Sequence, residues 1–179
     1  MKKVQFLLPL LLISYLSLTQ AQTNSDEQSD SLEISVESMR FVAYDNRISL
    51  DSLVLQGQYD YISPDLLELS EKNKDSSRGV FKFCLVHCNF NVMSEQIFEF
   101  LASRGLRAAT ERELLSWGYP QDYALIDHRH VVALGDTLLF KNGVALVTVI
   151  SRDFGYRNLT LDFYDKYWSS NYKFAAIEK

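Results

Sequence analysis

The sequence predicts an α+β domain in which short helices pack on a mainly antiparallel sheet. Amphipathic helical patterns occupy the earlier part of the chain, whereas its last third reads as consecutive strands. The pair Asn142-Gly143 between two of those strands is a strong signal for a β-hairpin. Because the helices precede the strands rather than alternate with them, α+β is favoured over a parallel α/β fold.

A short apolar segment near the start of the sequence predicts export. Lys2 and Lys3 precede a mostly apolar stretch over residues 4–18, which is followed by the small residues Thr19 and Ala21. A membrane-spanning helix needs about 20 apolar residues, so the segment is short for one. Its profile is that of a cleaved signal peptide, which predicts a periplasmic or extracellular protein with no stable membrane insertion after cleavage. An uncleaved anchor is the alternative, although no positive cluster follows the segment.

Composition divides the chain into three parts. We expect residues 1–21 to be the signal peptide. Residues 22–31 contain no apolar side chain to bury and predict a flexible tether. Residues 32–179 are rich in Phe, Tyr, Leu and Val and have the length of a single α+β domain. The net charge of −5 and the lack of clustered basic residues argue against a nucleic-acid partner, and no cofactor is predicted.

The first elements of the domain follow from local patterns. Apolar and polar residues alternate over residues 32–37, which predicts a half-buried strand that continues through residue 42. A helix is expected from an N-cap at Ser49 to a stop at Gly57, and another opens at Pro64. Residues 80–88 are apolar on both faces, which predicts a central strand.

The two cysteines lie within that central strand. On a straight strand the Cα atoms of Cys84 and Cys88 are about 13 Å apart, whereas a disulfide tolerates about 7 Å. Two buried free thiols are therefore favoured, with a disulfide as the alternative if the strand turns near His87.

Two further helices and a strand block complete the pattern. Ser94 is expected to cap a helix that ends at Gly105, and Thr110 with Glu113 forms a capping box that starts the next helix. Strands are then predicted over residues 131–134, 137–141, 144–150, 159–164 and 173–177. Trp168 and Phe174 are expected in the core.

Three stretches together resemble a family of small uncharacterised bacterial domains. They are residues 105–115, 131–135 and 172–179, which match motifs of the form G-L-R-P-A-T-x-x-E-L-L, I-V-A-L-G-S and R-F-L-A-V-R-K. The resemblance spans nearly the whole domain and implies its fold but no activity. The chain departs from the motifs at Ala108, Asp136 and Glu178.

A more distant similarity is to C-type lectin-like domains. Residues 167–170 resemble the Trp-centred segment that precedes the closing strand of such folds. The calcium-binding E-P-N and Q-P-D signatures and the W-N-D triplet are absent from the sequence, so the similarity implies no calcium-dependent sugar site.

Aromatic residues late in the chain are the main candidates for ligand binding. Side chains with apolar faces and polar edges are over-represented in recognition surfaces. We therefore expect a contact surface for a protein or glycan ligand, formed by Tyr156, Tyr164, Tyr167 and Tyr172.

A metal site is the weaker alternative. On an extended backbone, His128 and His130 project to the same face, as two ligands of Zn²⁺ or Cu²⁺ would. Further ligands would have to come from His87 or a nearby aspartate. The competing interpretation is a solvated loop with two exposed histidines.

Taken together, these patterns predict an exported, non-catalytic protein- or glycan-binding or adhesion module. The alternative is an extracytoplasmic hydrolase-like enzyme. It finds little support, because the sequence has no G-x-S-x-G elbow and its cysteines lie in an apolar strand. The pair Asp162 and Asp165 could serve glycoside chemistry, but surface loops often contain such pairs.

Overall fold

A mixed sheet with elements packed on both faces forms the framework of the protein. The computed structural model describes residues 33–45, 47–70, 78–118 and 130–179. The helices within these residues are α1 (Leu50–Gly57), α2 (Pro64–Ser70), α3 (Ser94–Ser103) and α4 (Glu111–Trp117). The strands are β1 (Ile34–Asp45), β2 (Tyr61–Ile62), β3 (Arg78–Cys88), β4 (Leu106–Ala108), β5 (His130–Leu139), β6 (Ala145–Asp153), β7 (Tyr156–Phe163) and β8 (Tyr172–Glu178).

The strand order confirms the α+β prediction. The eight-stranded sheet runs β1-β3-β8-β5-β6-β7-β2, and β4 pairs with β8 beside this path. The pairs β5–β8 and β2–β7 are parallel, and the other neighbouring pairs are antiparallel. The late strand β8 therefore lies in the interior of the sheet, between β3 and β5.

The two faces of the sheet bury separate clusters. On the first face, α1, α2 and α4 pack over strand residues such as Phe83, Val131 and Ile150. On the second face, α3, β4 and Trp168 pack over the alternate residues, among them Val86 and Phe174. Trp168 and Phe174 are fully buried, which confirms their predicted place in the core.

The predicted central strand is confirmed, and its cysteines are free. β3 lies between β1 and β8, and Cys84 and Cys88 are both buried thiols. Burial raises the pKa of Cys88 to about 11. These side chains behave as small core hydrophobes, because a buried neutral thiol is a poor nucleophile.

Capping signals set the helix starts with one exception. Ser49 Oγ accepts the Ser52 N–H at 3.1 Å, as predicted for α1. The predicted stop at Gly57 is wrong: α1 includes this residue, and the left-handed Gln58 at φ 49° ends the helix. Gly57 is required for another reason, since a Cβ there would overlap the ring of Tyr59.

The exception is Ser94, which is the first residue of α3 rather than its cap. Met93 is the N-cap, and its N–H donates to Gln96 Oε1 at 3.0 Å. The hydroxyl of Ser94 accepts from Trp168 Nε1 and donates to the Tyr164 carbonyl, each at 2.9 Å. The prediction failed because a partner distant in sequence holds this side chain.

The capping box of α4 is confirmed. Thr110 Oγ1 accepts the Glu113 N–H at 3.4 Å, and Glu113 Oε2 accepts the Thr110 N–H at 2.9 Å. Arg107 adds a bidentate pair to the Glu113 carboxylate at 2.8 and 2.6 Å. The box thus joins α4 to β4.

The two strands predicted over 131–134 and 137–141 form one strand. β5 continues from His130 to Leu139 with a register irregularity between Ala133 and Leu138. Gly135 lies at this point, where a Cβ would approach the Ala108 carbonyl oxygen to 2.7 Å. The predicted hairpin is confirmed, with Gly143 at φ 80° in the turn between β5 and β6.

The predicted signal peptide and tether lie outside the described residues. In the part of the chain that the structure describes, no helix is long and apolar enough to cross a membrane.

Candidate functional site

A row of polar and aromatic side chains crosses four adjacent strands on the second face. His130 pairs with Tyr172, and Ser151 pairs with Asn158. The pairing of β5 with β6 places His130 beside Ser151. Side chains alternate along a strand, so His130, Tyr172 and Ser151 share the second face with the cluster residues Val132, Phe174 and Val149, and Asn158 lies on the same face opposite Ser151.

Strand β7 contributes a second line of side chains, which meets this row at Asn158. Leu159 and Leu161 pack on the first-face cluster, so the alternate residues Tyr156, Asn158, Thr160 and Asp162 project from the second face. Asn158, Thr160 and Asp162 are half-buried, and Tyr156 is exposed. We call the whole set the β7 surface, formed by Tyr156, Asn158, Thr160, Asp162, Ser151, His130 and Tyr172.

Asp153 orients the polar groups at one end of the β7 surface. Its Oδ2 accepts from Ser151 Oγ at 3.2 Å and from Asn158 Nδ2 at 3.3 Å. Hydrogen bonds to an ionised acceptor are stronger than those between neutral groups. Asp153 thereby holds the Asn158 amide and the Ser151 hydroxyl in fixed orientations.

A charged network lies at the other end of the β7 surface. Lys166 Nζ lies 2.5 Å from Asp162 Oδ2 and 3.0 Å from Tyr172 Oη, and Tyr172 Oη donates to Asp162 Oδ2 at 2.9 Å. The ammonium also lies 4.6 Å from the ring centroid of Trp168 and 4.5 Å from that of Tyr172. Cation–π contact and the ion pair together fix the Tyr172 ring.

Lys166 and Tyr172 keep their ordinary charge states at neutral pH. Burial lowers the pKa of Lys166, but its hydrogen bonds to Asp162 and Tyr172 outweigh this effect and leave the pKa above the usual value. Burial raises the pKa of Tyr172. The surface therefore presents an ammonium paired with a carboxylate and a neutral phenol.

Of the four predicted tyrosines, two belong to this surface, one packs against the core and one is exposed outside both. Tyr156 and Tyr172 belong to the β7 surface. Tyr164 is half-buried and packs against the second-face cluster, while its carbonyl accepts from Ser94. Tyr167 is 69% exposed and adjoins Lys166 in the segment between β7 and β8.

The metal alternative is incomplete in the described residues. His128 lies outside them, and His130 stacks on Tyr172 with 4.8 Å between ring centroids. His87 lies on the opposite face, where its Nδ1 is 3.7 Å from Glu37 Oε1. Residues 33–45, 47–70, 78–118 and 130–179 contain no group of three His, Cys, Asp or Glu that could hold a metal ion. A site at His128 and His130 stays a prediction.

The β7 surface lacks the arrangement that nucleophilic catalysis requires. A catalytic serine donates its proton to a base. Here the Ser151 side chain is buried and its hydroxyl donates to Asp153, so it presents no accessible nucleophile. Asp162 is paired with Lys166 and Tyr172 and thus differs from a free acid or base. The geometry suits binding better than hydrolysis.

A second polar cluster, which sequence reasoning missed, is buried on the first face. Glu111 Oε1 accepts from Ser70 Oγ at 2.7 Å and from Thr148 Oγ1 at 3.1 Å, and the Glu111 N–H donates to Asp136 Oδ1 at 2.8 Å. Burial raises the pKa of Glu111 to about 7, and the nearby Asp136 charge adds to the rise. The cluster ties α2 and α4 to β5 and β6.

The site residues that sequence analysis missed differ in whether a sequence pattern marks them. Alternation of Tyr156, Asn158, Thr160 and Asp162 is visible in the sequence and could have marked one face of a strand. Glu111 gave no such signal, because an acidic residue in the first turn of a helix is ordinarily solvated.

No family model, no curated protein and no solved structure matches the chain. The resemblances to the small bacterial domains and to C-type lectin-like domains therefore stay predictions.

Proposed function

We propose that this protein is an exported, non-catalytic module that binds glycans through the β7 surface. The observation that carries the proposal is the row of Tyr172, His130, Ser151 and Asn158, joined by the line along β7. Sugars present hydroxyl groups beside apolar C–H faces. A surface that alternates hydroxyl, amide and carboxylate groups with aromatic rings complements both.

The polarity of the surface centre favours a glycan over a protein ligand. Stable protein interfaces bury about 800 Å² per partner around an apolar, charge-depleted centre. The centre of the β7 surface is instead formed by the half-buried Asn158 and Thr160 beside the buried Ser151, all of which are hydrogen-bonding residues. Their apolar neighbours Val147 and Val149 are buried in the second-face cluster.

Rigid strands support recognition of this kind. β6 and β7 are paired along nearly their whole length, from Leu146–Phe163 to Asp153–Tyr156. Side chains on such a frame lose little conformational entropy on binding. The hydrogen bonds from Ser151 and Asn158 to Asp153 restrict their side chains further.

The export part of the proposal depends on the sequence alone. The apolar segment after Lys2 and Lys3 and the small residue at Ala21 support it. Expression of the full chain in a bacterial host, followed by mass spectrometry of the protein outside the inner membrane, tests it. A new N-terminus at Gln22 is expected, and an intact N-terminus on membrane-bound protein would contradict it.

Binding is tested with the chain from Gln22 onward on a glycan array, followed by calorimetric titration of each hit. The double change Asn158→Ala and Thr160→Ala should weaken binding at least tenfold, a loss of about 1.4 kcal/mol. Gln56→Ala, an exposed polar position on α1, is the matched control and should leave affinity unchanged.

The same samples separate binding from the hydrolase alternative. Release of new reducing ends from a bound saccharide, lost in the Asp162→Asn variant, would favour an enzyme. An array without hits, or equal affinity of the double variant and the wild type, would refute the proposed glycan surface.

A further inference from the structure

The hairpin between β6 and β7 carries an aromatic side chain that is almost fully exposed to solvent. Phe154 is 98% exposed at the tip of this hairpin. Single exposed apolar residues are common on protein surfaces. Phe154 differs because its backbone conformation is also unfavourable for its residue type.

The turn has the backbone that Asn-Gly normally provides. Phe154 has φ 51° and Gly155 has φ 88°, so both central residues are left-handed. Two-residue hairpins of this type strongly prefer Asn-Gly or Asp-Gly, and a bulky residue at positive φ is an outlier. The chain places Asn142-Gly143 in the hairpin between β5 and β6. Phe154 therefore costs stability by its conformation and gains almost none from burial.

Phe154 lies at the end of the β7 surface. The residues that flank the turn, Asp153 and Tyr156, pair with each other across the hairpin. Tyr156 is 64% exposed and begins the line that continues through Asn158. Two exposed aromatic side chains thus adjoin the fixed hydrogen-bonding groups held by Asp153.

We propose that Phe154 and Tyr156 form a stacking platform that selects neutral β-1,4-linked sugars with equatorial hydroxyls, a class that includes glucan and N-acetylglucosamine chains. The inference rests on the proposed glycan binding. In such sugars the ring C–H bonds are axial, so each ring has an apolar face that can cover an aromatic ring. The β-1,4 linkage makes an extended ribbon, which can lie along the extended line of β7 side chains.

Charge and length support this ligand class. Asp153 adjoins the platform, Asp162 is already paired with Lys166, and the net charge of the chain is −5. An anionic sugar or lipid headgroup would therefore be repelled. Tyr156 to Asp162 spans roughly 20 Å at about 3.3 Å per residue, which gives room for about four hexose rings.

The test is calorimetric titration of the chain from Gln22 onward with cellohexaose and chitohexaose, and with an oligogalacturonate of the same length as the anionic comparison. Phe154→Asn should bind the neutral hexasaccharides about tenfold more weakly, the equivalent of 1.4 kcal/mol. Its melting temperature should rise by about 2 to 4 °C, because Asn suits the left-handed turn. Opposite effects on binding and stability exclude unfolding as the cause of lost affinity.

Two further variants control the result. Phe154→Trp keeps an aromatic face and should retain affinity. Phe41→Asn replaces an aromatic residue that is 78% exposed on β1, away from the β7 surface, and should change neither affinity nor ligand preference.

The outcomes separate this inference from the proposed function. Equal affinity of Phe154→Asn and the wild type would overturn the platform, while loss of binding in the Asn158→Ala, Thr160→Ala variant would leave the glycan surface standing. Tighter binding of the oligogalacturonate, or array hits without either neutral hexasaccharide, would overturn the ligand class alone. A lower melting temperature for Phe154→Asn would contradict the strained turn.

Discussion

The second face of the sheet changes character between β8 and β7. Over β3 and β8 it carries Val86, Phe174 and Ala176, which are buried beneath α3 and Trp168. Over β7 it carries Asn158 and Thr160, which remain half-buried. The same alternation thus produces core where another element covers the face, and a hydrogen-bonding surface where none of the described elements covers it. The candidate site lies along this boundary.

The largest expected effect comes from removing the strand on the covered side. Truncation after Tyr172 deletes most of β8, which pairs with β3, β4 and β5. Without it the β1–β3 pair and the β5–β6–β7 strands are no longer neighbours, so cooperative unfolding should be lost. Amide dispersion and a thermal melt measure this, with removal of Lys179 alone as the control. A truncated chain that melts like the full one would refute the central role of β8.

Two positions in one cross-strand row allow a direct test of the difference between the covered part of the second face and its β7 part. Phe174 and Thr160 occupy the same row, through Val132 and Val149. Phe174→Ala should lower the free energy of unfolding by about 3 to 5 kcal/mol, because it leaves a cavity in a packed core. Thr160→Ala should change it by about 0.5 kcal/mol at most. Urea denaturation measures both, and similar losses at the two positions would contradict the boundary.

The buried carboxyl on the first face predicts a pH effect. The pKa of Glu111 is raised to about 7 from its usual value of 4.5, so its contribution to stability is complete below pH 4.5 and is lost as the pH rises through 7. Glu111→Gln keeps the acceptor for Ser70 and Thr148 and removes the buried charge. The variant should gain up to about 3 kcal/mol relative to the wild type above pH 7, at about 1.4 kcal/mol per pKa unit.

Denaturation midpoints of the two proteins between pH 4 and pH 8 test this effect. Asp136 and Arg112 also lie near the carboxyl, and Glu113 lies near Asp136. The comparison of wild type with variant isolates Glu111 because these groups are present in both. A constant difference across the pH range would show that Glu111 does not titrate there.

The smallest effect concerns a local cap. Thr110→Ala removes the acceptor for the Glu113 N–H and should cost about 1 kcal/mol. Thr137→Ala, at an exposed position on β5, should change stability by less than about 0.5 kcal/mol. An unchanged midpoint for Thr110→Ala would indicate that the 3.4 Å hydrogen bond contributes little.

Features that depend on neighbouring residues could be predicted from the sequence, and those that depend on distant ones could not. The capping box at Thr110 and the turn at Asn142-Gly143 are local signals, and both are confirmed. Ser94 also looked like a cap, but its hydroxyl is held by Trp168, which is distant in the chain.

The candidate site shows the same limit. Aromatic composition pointed to Tyr156 and Tyr172, and the structure places both on the β7 surface. Their connection through His130 and Ser151 depends on the strand order, in which β8 inserts beside β5. No local pattern encodes that order, because the parallel pairing of β5 with β8 joins segments separated by two intervening strands.

The interior position of β8 also governs when the sheet can form. Its pairing with β3 joins Phe83 to Ile177, two residues separated by most of the domain. Contacts of such long range slow folding, because a large loop must close before they can form. The ribosome must synthesise β8 before the two parts of the sheet can join. In the export that we propose, this delay would keep the polypeptide in a form that a translocation channel can accept.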